Sequence, residues 1–159
     1  MKITMICVGK IKEAYLKEAI AEYTKRLSKY CTLAIVEVDD EKTPDRLSDA
    51  EAEVILKKEA ERIRKHIKES ASVIALAIQG KKMDSVQFAN RLENIAIQGR
   101  SHIQFVIGGS LGLHTDILKQ AELLLSFSDM TFPHQLMRVI LLEQIYRSYR
   151  IVTGAPYHK

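Results

Sequence analysis

A chain of 159 residues is long enough to bury a core without disulfides or a structural metal, and we expect one domain spanning residues 1–159. With 47% hydrophobic and 28% charged residues, its composition is that of an ordinary globular protein. The net charge of +4 permits binding to a polyanion but does not establish it.

The chain opens with a short apolar run that ends at Gly9. This run is too short to span a bilayer and lacks the small-residue cleavage site of a secretory signal. Cys7 and Cys31 lie in apolar segments without the spacing of a metal or redox motif, which indicates buried free thiols in a reducing compartment. We therefore expect a cytoplasmic protein.

Apolar runs alternate with helical patterns along the chain. The runs are continuous, which is typical of parallel strands covered on both faces, whereas the intervening segments repeat apolar residues every three or four positions. Ser48 with Glu51, and Asp84, are predicted to open two of the helices. The alternation predicts an α/β fold with a mostly parallel sheet flanked by helices. The five runs are Ile3–Val8, Leu33–Val38, Val73–Ile78, Ile103–Ile107 and Leu123–Phe127.

The last helical pattern, Gln135 to Val152, carries apolar residues on nearly every side. A terminal helix that packs one face on a core does not need so much apolar surface. Either the helix is deeply buried in its own domain, or a second face packs on another subunit. The second alternative is favoured, and it predicts a homodimer.

Glycine-containing or polar loops follow three of the predicted strands. Gly108–Leu113 follows the fourth strand, Ser128–His134 follows the fifth, and Leu76–Lys81 is the end of the third strand with the glycine after it. Because the carboxyl ends of parallel strands meet at one edge, these loops are expected to form a single pocket. The alternative for the glycine loop is a tight turn that ends a strand without binding anything.

His134 and Arg138 lie one helical turn apart beside this predicted pocket. The plainer alternatives are a hydrogen bond at the helix start for His134 and pairing with a carboxylate such as Glu143 for Arg138. The final residues, Tyr157-His158-Lys159, are either a frayed end or a tail that stacks on a base and contacts phosphate. No histidine–cysteine cluster or carboxylate pair has the spacing of a metal site, so metal-independent chemistry is expected.

Several strings in the second half of the chain are more specific. The sequence reads Val-Ile-Gly-Gly-Ser-Leu-Gly-Leu at 106–113, Leu-Ser-Phe-Ser-Asp-Met-Thr-Phe-Pro-His-Gln at 125–135 and Glu-Gln-Ile-Tyr-Arg at 143–147. With Arg138, the terminal Tyr157-His158-Lys159 and the early Val8-Gly9-Lys10, these strings closely resemble the SPOUT superfamily, in particular its members that methylate N3 of a pseudouridine in bacterial 23S rRNA. The resemblance covers essentially the whole chain.

The resemblance implies a deep C-terminal trefoil knot, an exception to the rule that chains do not thread through loops. It also implies a homodimer that uses S-adenosylmethionine (SAM), without a metal, to methylate a pseudouridine of large-subunit rRNA on the assembled ribosome. The residues that would line the cofactor site are Leu76, Gly108, Phe127, Ser128, Asp129, Met130, Thr131 and Phe132.

Under this resemblance Arg138, His134 and His158 are the candidate catalytic residues. A guanidinium, of Arg138 or alternatively Arg150, could stabilise charge on the base, and either histidine could take the N3 proton, a choice the sequence leaves open. From residue 128 onward the chain carries four Lys or Arg residues against two acidic ones. The candidate RNA-binding residues are Arg147, Arg150, Tyr157, His158 and Lys159.

Three other functions remain open at this point. A related SPOUT enzyme could act on tRNA or on another rRNA base, because function lies in the site rather than in the scaffold. A non-catalytic RNA-binding or ribosome-binding module would not bind SAM. A nucleotide-phosphate binder would prefer ATP or GTP to SAM.

Overall fold

A computed structural model describes residues 1–159 and contains one five-stranded sheet. All neighbouring strands are parallel, in the order β2-β1-β4-β3-β5, which confirms the predicted parallel sheet. The third strand is longer than predicted, ending at residue 82 rather than 78. The strands are β1 (Lys2–Val8), β2 (Thr32–Val38), β3 (Ser72–Lys82), β4 (His102–Ile107) and β5 (Leu123–Ser126).

Helices cover both faces of the sheet. The first, third and fifth helices pack on one face, and the second and fourth pack on the other. Both predicted helix starts are confirmed, because Ser48 with Glu51 and Asp84 with Gln87 form complete capping boxes. The helices are α1 (Ala14–Leu27), α2 (Asp49–Arg64), α3 (Ser85–Ile97), α4 (Thr115–Gln120) and α5 (His134–Val152).

Successive residues of β1 enter different cores. Met5 and Cys7 pack against α1, α3 and α5, whereas Ile6 and Val8 pack against α2 and α4. This alternation explains the continuous apolar strands, since both faces of the sheet are covered. Cys7 and Cys31 are buried free thiols, as expected, and burial raises the pKa of Cys7 to about 12.

Helix α5 lies between α1 and α3, with Leu141, Leu142 and Ile145 fully buried. Every residue from 134 to 151 is buried or half-buried within the single chain. Much of the apolar surface of α5 is therefore covered without a second subunit, and the homodimer stays a prediction. None of the helices has the length and hydropathy needed to cross a membrane.

Candidate functional site

A cavity of about 800 Å³ lies beyond the carboxyl ends of β3, β4 and β5. The three loops predicted to converge do so, and the start of α5 closes one side. This confirms the expectation of a single pocket at one edge of the sheet. The lining residues are Leu76–Gln79, Ile107–Leu113, Leu118, Leu125–Ser128, Met130–His134 and Met137.

The glycine loop after β4 is a tight turn and also a wall of the cavity. Gly112 has a φ of +84°, and its amide donates a 3.0 Å hydrogen bond to the carbonyl of Gly109. A Cβ at position 108 would collide with the carbonyl group of Gly112 and lie 3.1 Å from Cγ of Leu113. Gly108 is thus required for the folded shape of this wall.

A break in the β3–β5 pairing forms the second wall. Leu76 and Lys81 both pair with Leu125, so the four residues between them leave the ladder and three of them, 77–79, line the cavity. At Gly80 the chain approaches β5 again, so closely that a Cβ on this residue would lie 2.7 Å from the backbone of Leu124. The sequence indicated a loop at residues 76–81, and residues 76–79 line the cavity, although the apolar run also predicted regular strand as far as Ile78.

The loop between β5 and α5 forms the third wall. Within it, the amide of Met130 donates to the hydroxyl of Ser128 at 3.0 Å. Met130 is 73% exposed and Phe132 37% exposed, so apolar side chains remain uncovered at the mouth of the cavity. Asp129 is the one proposed cofactor residue that does not line the cavity, because its carboxylate pairs with Lys82.

His134, the first residue of α5, is the histidine that lines the cavity. Its half-buried ring lines the cavity and has no hydrogen-bond partner within the chain, so the proposed helix-start hydrogen bond is absent. Burial lowers the pKa of His134, and the positive charge of Arg138 lowers it further, whereas Asp40 opposes the shift. The imidazole is therefore neutral and available as a proton acceptor near pH 7.

Arg138 does not face the cavity. It is 1% exposed, and its guanidinium donates to Glu37 Oε2 at 2.6 Å and to the carbonyls of Val8 and Gly9 at 3.1 and 2.8 Å. The alternative prediction that Arg138 pairs with Glu143 is wrong, since Glu143 pairs with Arg147 further along α5. A signal did exist, because Glu37 is the one charged residue in an otherwise apolar strand and requires a partner.

The carboxy-terminal tail folds back on α5 instead of fraying. Glu143 accepts hydrogen bonds from Arg147 Nε at 2.8 Å and from the hydroxyl of Tyr157 at 2.9 Å. His158 lies 3.1 Å from Arg147, and burial and Glu143 raise the pKa of Tyr157 to about 12. Arg147 lies thirteen residues after His134 on α5, which corresponds to about 20 Å along the helix. Because His158 contacts Arg147, it lies far from the cavity of its own chain, which His134 lines.

The remaining cations of the proposed RNA-binding group differ in their surroundings. Arg150 donates to the hydroxyl of Tyr30 at 3.1 Å, and Lys159 is exposed. The other two histidines have structural partners: His102 contacts Thr4 Oγ1 at 2.8 Å, and His114 contacts Glu53 and also caps α4. The structure thus brings His134 together with the expected cofactor residues and separates His158 and Arg138 from them.

Comparison with known proteins shows which family this chain belongs to. A family model described as "Predicted SPOUT methyltransferase" matches residues 1–158. A Bifidobacterium adolescentis protein named ribosomal RNA large subunit methyltransferase H is 64% identical over 159 residues, covering all of both chains. An Acetivibrio thermocellus protein of the same name is 56% identical over the same length.

A solved structure supports the fold. A probable methylase family protein from Haemophilus influenzae aligns with a TM-score of 0.54 at 12% identity, covering 99% of this chain and 70% of that chain. At this identity the likeness concerns the fold alone.

Proposed function

Since the chain belongs to the SPOUT methyltransferase family, we propose that it transfers a methyl group from SAM to N3 of a pseudouridine in large-subunit rRNA. The full-length relatives are named as large-subunit rRNA methyltransferases, which supports this substrate. The observation that carries the proposal is the cavity at the carboxyl ends of β3, β4 and β5, with a neutral, unpartnered His134 in its wall.

The residues of the cavity fit SAM. Its volume of about 800 Å³ lies within the range of small-molecule sites, and more than half of its lining residues are apolar. Leu76, Leu125 and Met137 offer apolar contacts, and the glycine loop brings backbone close to the bound molecule. When bound, SAM supplies a methyl group on a positively charged sulfur.

His134 is the proposed proton acceptor. Its neutral imidazole takes the proton from N3 of the base, and the N3 lone pair forms the new N–C bond. SAM would supply the methyl group to that lone pair, and the electron pair of the S–CH₃ bond would remain on its sulfur. Positioning in line with that bond accounts for much of the expected rate, and no metal is invoked.

Arg138, by contrast, is proposed to act on position rather than on substrate. Its guanidinium is buried, donates to Glu37 and to two backbone carbonyls, and does not line the cavity, so a direct contact with a carbonyl oxygen of the base is not proposed. It fixes the start of α5, one turn after His134, against the end of β1. The SAM contacts of Leu76, Gly108 and the 127–132 loop, Asp129 included, also remain proposals.

The RNA-binding role of the tail is proposed together with the homodimer. Arg147, Arg150, Tyr157, His158 and Lys159 lie far from the cavity of their own chain, so a part in the reaction requires movement or a second subunit. A trefoil knot likewise stays a prediction.

A labelled-methyl assay tests the function. Purified protein with methyl-labelled SAM is offered ribosomes, free large-subunit rRNA or tRNA, and the modified base is mapped. We expect label at N3 of a pseudouridine in ribosomes. Label on tRNA would instead favour the related enzyme, and no heat in a calorimetric titration with SAM would favour a binding module.

A further inference from the structure

The loop from Gly9 to Glu13 joins β1 to α1 and is hydrogen-bonded to the start of α5 beside the cavity. Its residues make four hydrogen bonds with α5 and β2: Arg138 donates to the carbonyl of Gly9 at 2.8 Å, Gln135 Nε2 donates to the carbonyl of Lys10 at 3.3 Å, and the amide of Gly9 donates to the carbonyl of Val38 at 2.8 Å. The amide of Ile11 donates to Glu37 Oε2 at 3.0 Å. We call residues 9–13 the basic loop.

The ion pair between buried Arg138 and partly exposed Glu37 is the centre of this attachment. Glu37 Oε2 accepts from both Arg138 and the amide of Ile11, so one carboxylate joins β2, α5 and the basic loop. A partly exposed ion pair is weak evidence for stability, because solvent screens part of the attraction. Here it fixes the relative positions of three segments, one of which carries the cavity residue His134.

The basic loop presents two cations outward. Ile11 is buried, and Lys10 and Lys12 on either side of it are exposed. Neither ammonium group forms an ion pair. Two other cations near the cavity are neutralised, because Lys82 pairs with Asp129 and Arg138 pairs with Glu37.

We propose that Lys10 and Lys12 bind the phosphates of the RNA that enters the cavity mouth. This inference rests on the proposed function and identifies the residues that contact the RNA backbone beside the proposed site of methyl transfer. A phosphate backbone is bound mainly by unpaired lysine and arginine side chains, and it must lie close to the cavity when one of its bases enters. The charge of Asp40, next to Gly9, repels phosphate at the start of the loop, which leaves the contacts to Lys10 and Lys12.

The test is the double variant Lys10→Ala/Lys12→Ala, assayed with ribosomes lacking the modification and with SAM. The matched control, Lys65→Ala/Lys68→Ala, removes the same charge from exposed lysines at the end of α2, at the opposite edge of the sheet. A third protein, Lys10→Arg/Lys12→Arg, keeps the charge. SAM affinity is measured for each by calorimetry.

We expect the alanine double variant to raise KM for ribosomes about ten-fold and to flatten the log–log dependence of RNA affinity on salt by about 1.5. Its kcat and SAM affinity should remain those of the unaltered protein, because neither lysine lines the cavity. The arginine variant should retain KM, and the control should change neither KM nor the salt dependence.

An unchanged KM and salt dependence in the alanine variant, or an equal change in the control, would overturn the assignment. These results leave the proposed function standing, provided that the unaltered protein methylates ribosomes. If the unaltered protein transfers no methyl group to ribosomal RNA, the proposed function fails, and this inference fails with it.

Discussion

The imidazole of His134 lies in the cavity wall, and no hydrogen-bond partner within the chain fixes its protonation state. Both larger influences on the ring, burial and the nearby guanidinium of Arg138, disfavour its positive form. Its pKa is consequently below 6.5, the ordinary value for histidine. The lowered pKa favours the neutral ring, the form that can accept a proton, near neutral pH.

A pH profile follows from this. The neutral imidazole is present above its pKa and is lost as pH falls through it, so kcat/KM should decline on the acid side with a midpoint below 6.5. His134→Gln should remove that limb and lower kcat/KM about 100-fold. Initial rates on ribosomes across pH provide the measurement, and a midpoint at or above 6.5 would contradict the assignment of His134.

Gly108 provides a second test at this scale. Gly108→Ala places a methyl group against the carbonyl of Gly112, so the loop must move and SAM affinity should fall about ten-fold or more in calorimetry. Gly99→Ala is the control: its φ of +87° makes alanine strained, but nothing lies within 4 Å and the cavity is elsewhere. Equal SAM affinity in both variants would exclude the glycine loop from the binding site.

Among the elements, β1, β2 and α5 are linked by the Glu37–Arg138 pair, whose partners are 101 positions apart. Arg138→Met leaves Glu37 and two carbonyls without their donor. The free energy of unfolding, measured by denaturant titration, should fall by about 2 kcal/mol, chiefly because the two buried carbonyls lose their donor while solvent screens the charge of partly exposed Glu37. In the double variant with Glu37→Gln the two losses should not add, since they remove the same interaction. Full additivity would show that the pair is not coupled.

The elements also show which features a sequence can predict. Local signals worked: the capping box at Ser48 and the continuous apolar strands both gave the right structure. The partner of Arg138 was missed: the lone charge of Glu37 in β2 signals that it needs some partner, but which residue that is depends on which strands become neighbours. The break in β3 was missed for the same reason, because Ala77 and Ile78 have the composition of ordinary strand.

For the whole molecule, convergence of the loops could be predicted from parallel strands alone, although the strand order β2-β1-β4-β3-β5 could not. The order places β3 between β4 and β5, which puts all three loop-bearing strand ends side by side. The roles of individual residues depend on this order. His158 and His134 looked equivalent in the sequence, yet opposite halves of α5 hold them.

The homodimer is the prediction that belongs to this scale. Sedimentation equilibrium should give a mass of twice 18.1 kDa at micromolar concentration, because apolar residues on more than one face of α5 are expected to pack partly on a second copy. Dilution of an active sample should reduce methylation more than proportionally if the tail acts across subunits. A monomer with unchanged specific activity at all dilutions would contradict the homodimer.

The unpaired segment of β3 has a consequence for how this scaffold can vary. Residues 77–80 lie between two pairings with the same residue, Leu125, so their number is not set by the sheet. Lengthening or shortening this segment would reshape one side of the cavity, while the strand pairing before and after the segment stays in register. Enzymes with altered donor or acceptor preference can therefore be sought by changing loop length at one place, without redesigning the strands.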